Sequence, residues 1–157
     1  MKSDNPLKHF ALAFLLAAVC YAVFYRGIEH RRTHKGPWEV TFTHGADGAP
    51  AMVVNQPALA ITNFEIMFSE ATGVLGNGTS KTIFFSVPKP VPFDVPFGKC
   101  LFMDTTFLPG TVTFQMFGHE IEFLPRVLLI DRQEHPWLSE TTNTLHAIAY
   151  TPESTKP

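Results

Sequence analysis

Two cysteines, Cys20 and Cys100, are too few and too far apart in character to build a disulfide framework in a folded domain. The chain also lacks a C-x-x-C pair, a G-x-S-x-G nucleophile elbow, a P-loop and a dinucleotide fingerprint. No catalytic residue and no cofactor is therefore expected, and the reading leans away from an enzyme. After Tyr25 no segment sustains a helical apolar period, which argues against a helical bundle or coiled coil. There is no internal repeat and no sign of a second globular domain.

One absence is local. From Phe10 to Tyr25 (FALAFLLAAVCYAVFY) there is no charged residue at all. Counted from Leu7, this run would reach roughly 28 Å as a helix, enough to cross a bilayer at the short end of the usual range. In lipid the backbone must satisfy its own hydrogen bonds, so a helix is expected over 7–25. Phe10, Leu12, Phe14, Leu15, Leu16, Val19 and Val23 supply the apolar surface. Tyr21, Phe24 and Tyr25 lie toward the downstream end, where aromatic rings favour the headgroup level. Lys8 and Arg26 flank the run, placed to snorkel to the two interfaces.

A retained single-pass signal-anchor competes here with a cleaved signal peptide and with lipidation at Cys20. Tyr21, Val23, Phe24 and Tyr25 are poor for cleavage after small residues. Ala17, Ala18 and Val19 form a weak lipobox, because valine is bulky beside the cysteine. A retained anchor is the expectation. Its direction is pulled two ways. Arg26, Arg31, Arg32 and Lys35 lie just downstream of the run, and the positive-inside tendency draws such a flank to the cytoplasm. Short-tailed N-terminal anchors, by contrast, commonly export the domain they carry. The balance adopted puts the main domain outside the cytoplasm.

Charge divides the chain. Residues 1–35 hold six bases against Asp4 and Glu29, a net of +4, whereas the remainder holds six bases against twelve acids, a net of −6. An acidic globular part is a poor nucleic-acid binder, since that affinity comes mainly from neutralising phosphates. The basic collar of Arg26, Arg31, Arg32 and Lys35 is suited to setting topology and meeting anionic headgroups. The expected organisation is a short tail (1–6), a spanning helix (7–25), a basic linker (26–37), a β domain (38–150) and a flexible polar tail (151–157).

Beyond Gly36-Pro37 the pattern alternates. Trp38, Val40 and Phe42 take turns with Glu39, Thr41 and Thr43, the two-residue period of a half-buried strand. Further runs are Ala51–Asn55, Leu59–Phe68, Lys81–Val87 after the turn dipeptide Asn77-Gly78, Lys99–Met103, Arg126–Ile130 and Leu145–Tyr150. The clearest hairpin is Thr111–Phe117 with Glu120–Pro125. A Gly118-His119 loop of type II′ would set Phe117 opposite Glu120 and Phe114 opposite Phe123. Phe114, Met116, Ile121 and Phe123 then share one face, and Gln115, Glu120 and Glu122 the other. The proline-rich segment Pro88–Pro96 is expected to be an irregular connection rather than a strand. Eight or nine short strands and 15 phenylalanines predict an all-β fold, an antiparallel β-sandwich (jelly-roll-like or Ig-like) preceded by one transmembrane helix. The Cys–Trp–Cys signature of true immunoglobulin domains is missing.

Several residues merit weighing as sites. His119, Glu120 and Glu122 cluster at the hairpin tip, with Asp131, Glu134 and His135 downstream. Converging nitrogen and oxygen donors could hold a metal or serve a hydrolase, but strand-tip acids are more often solvated surface, and no metal is assigned. Cys100 beside Lys99 is read as a buried, inert thiol rather than a nucleophile. Trp38, in phase with Val40 and Phe42, is expected in the core, and Trp137 after Pro136 is the better surface candidate of the two. Asn77-Gly78-Thr79 is a glycosylation sequon. The expected role is an interaction or scaffolding module at a lipid bilayer, with a protein partner or a second copy. Trp137, His119, Glu120 and Glu122 are its candidate surface. A module that binds a glycan or envelope polymer is the alternative; it requires an exposed aromatic strip near Trp137 or the proline segment.

Overall fold

A computed structural model describes residues 6–75 and 80–148. The expected Asn77-Gly78 turn with its sequon, both terminal tails apart from Pro6, and the last two residues of the Leu145–Tyr150 run lie outside the described residues. The chain separates into a helical unit up to His34 and a β unit from Lys35 onward.

Helix α1 covers Pro6–Thr33. Proline at its first position suits a helix start, where the missing N–H has no intrahelical partner in any case. The helix runs through the apolar stretch and eight residues beyond it. Arg26, Arg31 and Arg32, expected in a linker, therefore lie on its last turns. No strong breaker precedes Gly36-Pro37, and Gly27 alone costs only about 1 kcal/mol. Basic side chains in the final turn complement the helix dipole, and Glu29 sits 3.6 Å from Arg32 one turn on.

The β unit is a sandwich of two sheets. Its strands are β1 (Trp38–His44), β2 (Pro50–Gln56), β3 (Ile61–Ser69), β4 (Ser80–Phe85), β5 (Phe93–Val95), β6 (Gly98–Asp104), β7 (Thr111–Met116), β8 (His119–Phe123), β9 (Leu128–Ile130), β10 (Gln133–His135) and β11 (Thr142–His146). One sheet has the order β11-β3-β2-β1-β4 and the other β10-β9-β8-β7-β6-β5. Among the described residues all pairings are antiparallel except β11 with β3, which run parallel. β4-β1-β2-β3 is a single Greek key, while the six-stranded sheet is a plain meander. This differs from a jelly roll, which needs two Greek keys, and from an Ig domain, whose strands cross repeatedly between sheets.

Alternation in β1 is as the sequence indicates: Trp38, Val40 and Phe42 are fully buried. The β7–β8 hairpin differs in register. Met116 pairs with His119 and Phe114 with Ile121, so the loop is Phe117-Gly118. Both loop residues have positive φ, 49° and 88°, the geometry of a type I′ turn. Only glycine fits at 118, where a Cβ would lie 2.6 Å from the Ile148 carbonyl oxygen. The displacement from the expected register is two residues. Because side chains repeat every two residues, Phe114, Met116, Ile121 and Phe123 still face inward.

Strand registers place the loops 57–60, 86–92, 105–110, 124–127 and 136–141 at the end of the sandwich where β1 begins. Gln56 organises this end. Its buried amide donates to the carbonyls of Gly36 (3.0 Å) and Pro37 (2.7 Å), and its oxygen accepts from Ala58 N–H (3.0 Å). Trp38 Nε1 donates to the Gly110 carbonyl at 2.7 Å. Replacement Gln56→Ala strips two carbonyls and one N–H of their partner at once. It should cost about 1–3 kcal/mol, read as a lowered urea midpoint of the full-length protein in detergent. A change no larger than that of the exposed Pro57→Ala would refute this role.

Candidate functional site

The helical unit presents an unusual surface. Phe10, Leu12, Phe14, Leu15, Leu16, Val19, Tyr21, Val23, Phe24 and Tyr25 are all more than half exposed. Pro6–Arg32 is long and apolar enough to cross a membrane, and its most apolar 18-residue stretch has a mean hydropathy of 2.0 and is not buried within the described chain. Lys8, Arg26 and Arg31 are exposed at its two ends, Arg32 is half-buried, and Tyr21 and Tyr25 stack one turn apart with centroids at 6.0 Å. Lys35 is exposed at the start of the β unit.

In the β unit the expected surface cluster divides. His119 is buried at 6 % exposure, while Glu120 and Glu122 point to the other side of β8. Alternation along one strand makes their convergence impossible. Among the described residues no group of three or more His, Cys, Asp or Glu side chains is placed to share a metal ion. His119 instead forms a brace. Its Nδ1 lies 2.7 Å from Asp131 Oδ2, and its Nε2 donates to the His146 carbonyl at 2.7 Å. Asp131 Oδ1 accepts from Glu120 N–H at 2.9 Å. Ser69 Oγ donates to the Leu145 carbonyl and lies 3.0 Å from His146 Nδ1. The network joins β8, the β9–β10 turn, β11 and β3. With both ring nitrogens engaged inside the fold, the ring holds these elements together. Sequence reasoning missed Asp131 as the partner. Its signal is the Asp131-Arg132 loop, where both residues have positive φ in a two-residue hairpin turn.

Trp137, the better surface candidate of the two tryptophans, is half-buried. Its ring packs against Trp38 (5.2 Å), Phe64 (5.0 Å) and Phe123 (5.5 Å), and its Nε1 donates to the Leu124 carbonyl at 2.9 Å. A loop tryptophan is thus drawn inward because the core supplies both ring contacts and an acceptor for its N–H. Neither tryptophan forms an open platform. Cys100 is fully buried and points its Sγ at the Phe102 carbonyl, 3.4 Å away. Burial pushes its thiol up to about 11, only partly opposed by that bond and by the charge of Lys89. A nucleophilic cysteine needs the opposite shift.

His119→Ala should lower stability by about 1–2 kcal/mol, because a buried main-chain carbonyl contact is lost and the partly exposed Asp131 carboxylate loses its partner. It should also speed proteolysis near β11. An unfolding midpoint equal to that of Glu122→Ala would overturn the brace. For Cys100 the folded thiol ionises later than the unfolded one, so the unfolded state loses its proton first as pH rises. Its contribution is complete below about 9 and is lost as pH passes through about 11. Cys100→Ala should flatten the stability profile across that window; an unchanged profile would contradict the shift.

Comparison with protein-family models, with curated proteins and with solved structures returns no match for this chain.

Proposed function

We propose that this chain is a single-pass membrane protein that holds a β-sandwich at the bilayer as a non-catalytic interaction or scaffolding module. One observation carries the reading: a 28-residue helix whose large apolar side chains are mostly exposed runs directly into a basic last turn. Such a surface is costly in water and favourable in hydrocarbon, and Arg26, Arg31 and Arg32 suit the headgroup layer. The polar constellation that most resembled a site, around His119, is spent on internal bonds. This supports binding through surfaces rather than chemistry in a pocket. The partner is a protein or a second copy of the chain, with the domain outside the cytoplasm. The glycan reading has less behind it, since Trp38 is buried and Trp137 is half-buried against it.

Alkaline carbonate extraction of native membranes should leave the protein in the pellet, and protease added to intact cells should digest a tag placed after residue 157. In mild detergent the protein should migrate as a complex larger than one chain. Release by carbonate would remove the anchor. A persistent monomer without a bound partner would remove the module reading.

A further inference from the structure

The exposed apolar side chains of the β unit are unevenly placed. Among its described residues, eight large ones are exposed: Val74, Phe84, Val87, Val91, Phe102, Phe107, Leu138 and Ile148. Only Val74 and Ile148 lie toward the far end, whereas the other six lie at, or within two residues of, the end where Gln56 ties Gly36 and Pro37. Isolated apolar residues on a surface are ordinary, but this concentration at one end is not.

Two loops carry the centre of the patch. Trp38 pairs with Phe85, which places the 86–92 connection at this end. Trp38 Nε1 on the Gly110 carbonyl places the 105–110 loop beside it. Phe93 pairs with Cys100, so Val91 and Phe102, each two residues further on, run to the same position. Val87, Val91 and Phe107 project from the two loops, 64 %, 41 % and 58 % exposed. Across residues 86–92 and 105–110 the single charged side chain is Lys89.

Charge in the loops is distributed in the same sense. Lys35, Lys89 and Arg126 stand against Glu140 in the loops at this end, an excess of bases. The turns at the opposite end carry Asp47, Glu70 and Asp131 against Arg132. The loop acids thus lie mostly away from the apolar end, while the strands near both ends carry acids and bases alike. Connectivity adds a distance. Only His34–Pro37 join the helix to β1, a reach of at most about 14 Å. The far end lies a further seven-residue strand away, roughly 23 Å.

We propose that this end of the sandwich seats in the headgroup–acyl boundary of the bilayer, inserting Val87, Val91 and Phe107 while Lys89 meets anionic headgroups. The inference rests on the anchoring reading above and adds to it an orientation and a second, peripheral lipid contact. Apolar loops with flanking bases are the chemistry of interfacial binding, and tethering supplies a high local concentration of lipid surface. The domain then does not swing freely on its linker, and it presents its far end to partners.

Spin labels in the full-length protein test this. Nitroxides are attached one at a time through Leu16→Cys, Val91→Cys, Phe107→Cys and Glu120→Cys in a Cys20→Ser background. The buried Cys100 should not react, which the background alone checks. Proteins are reconstituted into phosphatidylcholine vesicles with and without phosphatidylglycerol, and collision rates with oxygen and with a water-soluble nickel chelate are compared. At 91 and 107 oxygen should dominate several-fold over the ratio at 120, and more so with the anionic lipid. Equal ratios at 107 and 120 with oxygen dominant at 16 would overturn the docking and leave the anchor intact. A label at 16 open to the nickel chelate would overturn the anchor and the docking with it. Immobile labels at 91 and 107 reached by neither reagent would mean protein cover, a second copy, and would equally overturn the lipid contact.

Discussion

Each sheet of this domain has one apolar face, and neither can be kept from water except by the other. The aromatic seam between them meets that constraint. Trp38 from the five-stranded sheet lies 5.5 Å from Phe123 of the six-stranded one, with Trp137 and Phe64 closing the group. Phe85 on Phe114 and Phe68 on Phe117 extend the contact across the layer. Each such pair adds about 0.5–1.5 kcal/mol beyond the area it buries. The ring edges also fix how the sheets align, since tilted and edge-on packings tolerate little sliding. Trp38 is doubly constrained, by its neighbours and by the Gly110 carbonyl, and through Gly110 it sets the position of the 105–110 loop.

Much of this was legible in the sequence, and the parts that were not share a physical cause. Strands with two-residue alternation announce themselves, as Trp38–Phe42 does. A two-residue slip in a hairpin is invisible to alternation, so the faces of β7 and β8 could be read while their loop could not. Short strands at sheet margins carry no apolar signal: Gln133–His135 and Thr142–His146 are largely polar because one of their faces meets solvent. β5 hides among prolines, which an edge strand tolerates because one side of its backbone needs no partner. The helix was legible as a span but not in length, since its polar last turns look like linker by composition.

Side-chain chemistry was the least legible. Histidine and acids at 119, 120 and 122 are neighbours in sequence and strangers in space, whereas His119 and Asp131 are the reverse. Trp137 was drawn inward by a carbonyl thirteen positions away that no local pattern reveals. Among the described residues the few buried polar side chains are Gln56, Thr105, Thr113 and His119, and the bonds of Gln56 and His119 run to backbone or to a turn carboxylate. They determine which loops gather at each end.

The parallel strand β11 imposes an order of events. Thr142 bonds Glu65 across 77 positions of sequence, and among the described residues β3 has no outer neighbour other than β11. During synthesis β3 therefore waits, its outward backbone groups open, until almost the whole described chain has been made. The two sheets can close around the aromatic seam before that strand arrives. β11 then completes the sandwich as a late clasp, locked by the His119 contact to its final carbonyl. In that interval, any extended segment that reaches β3 first competes with the protein's own last strand.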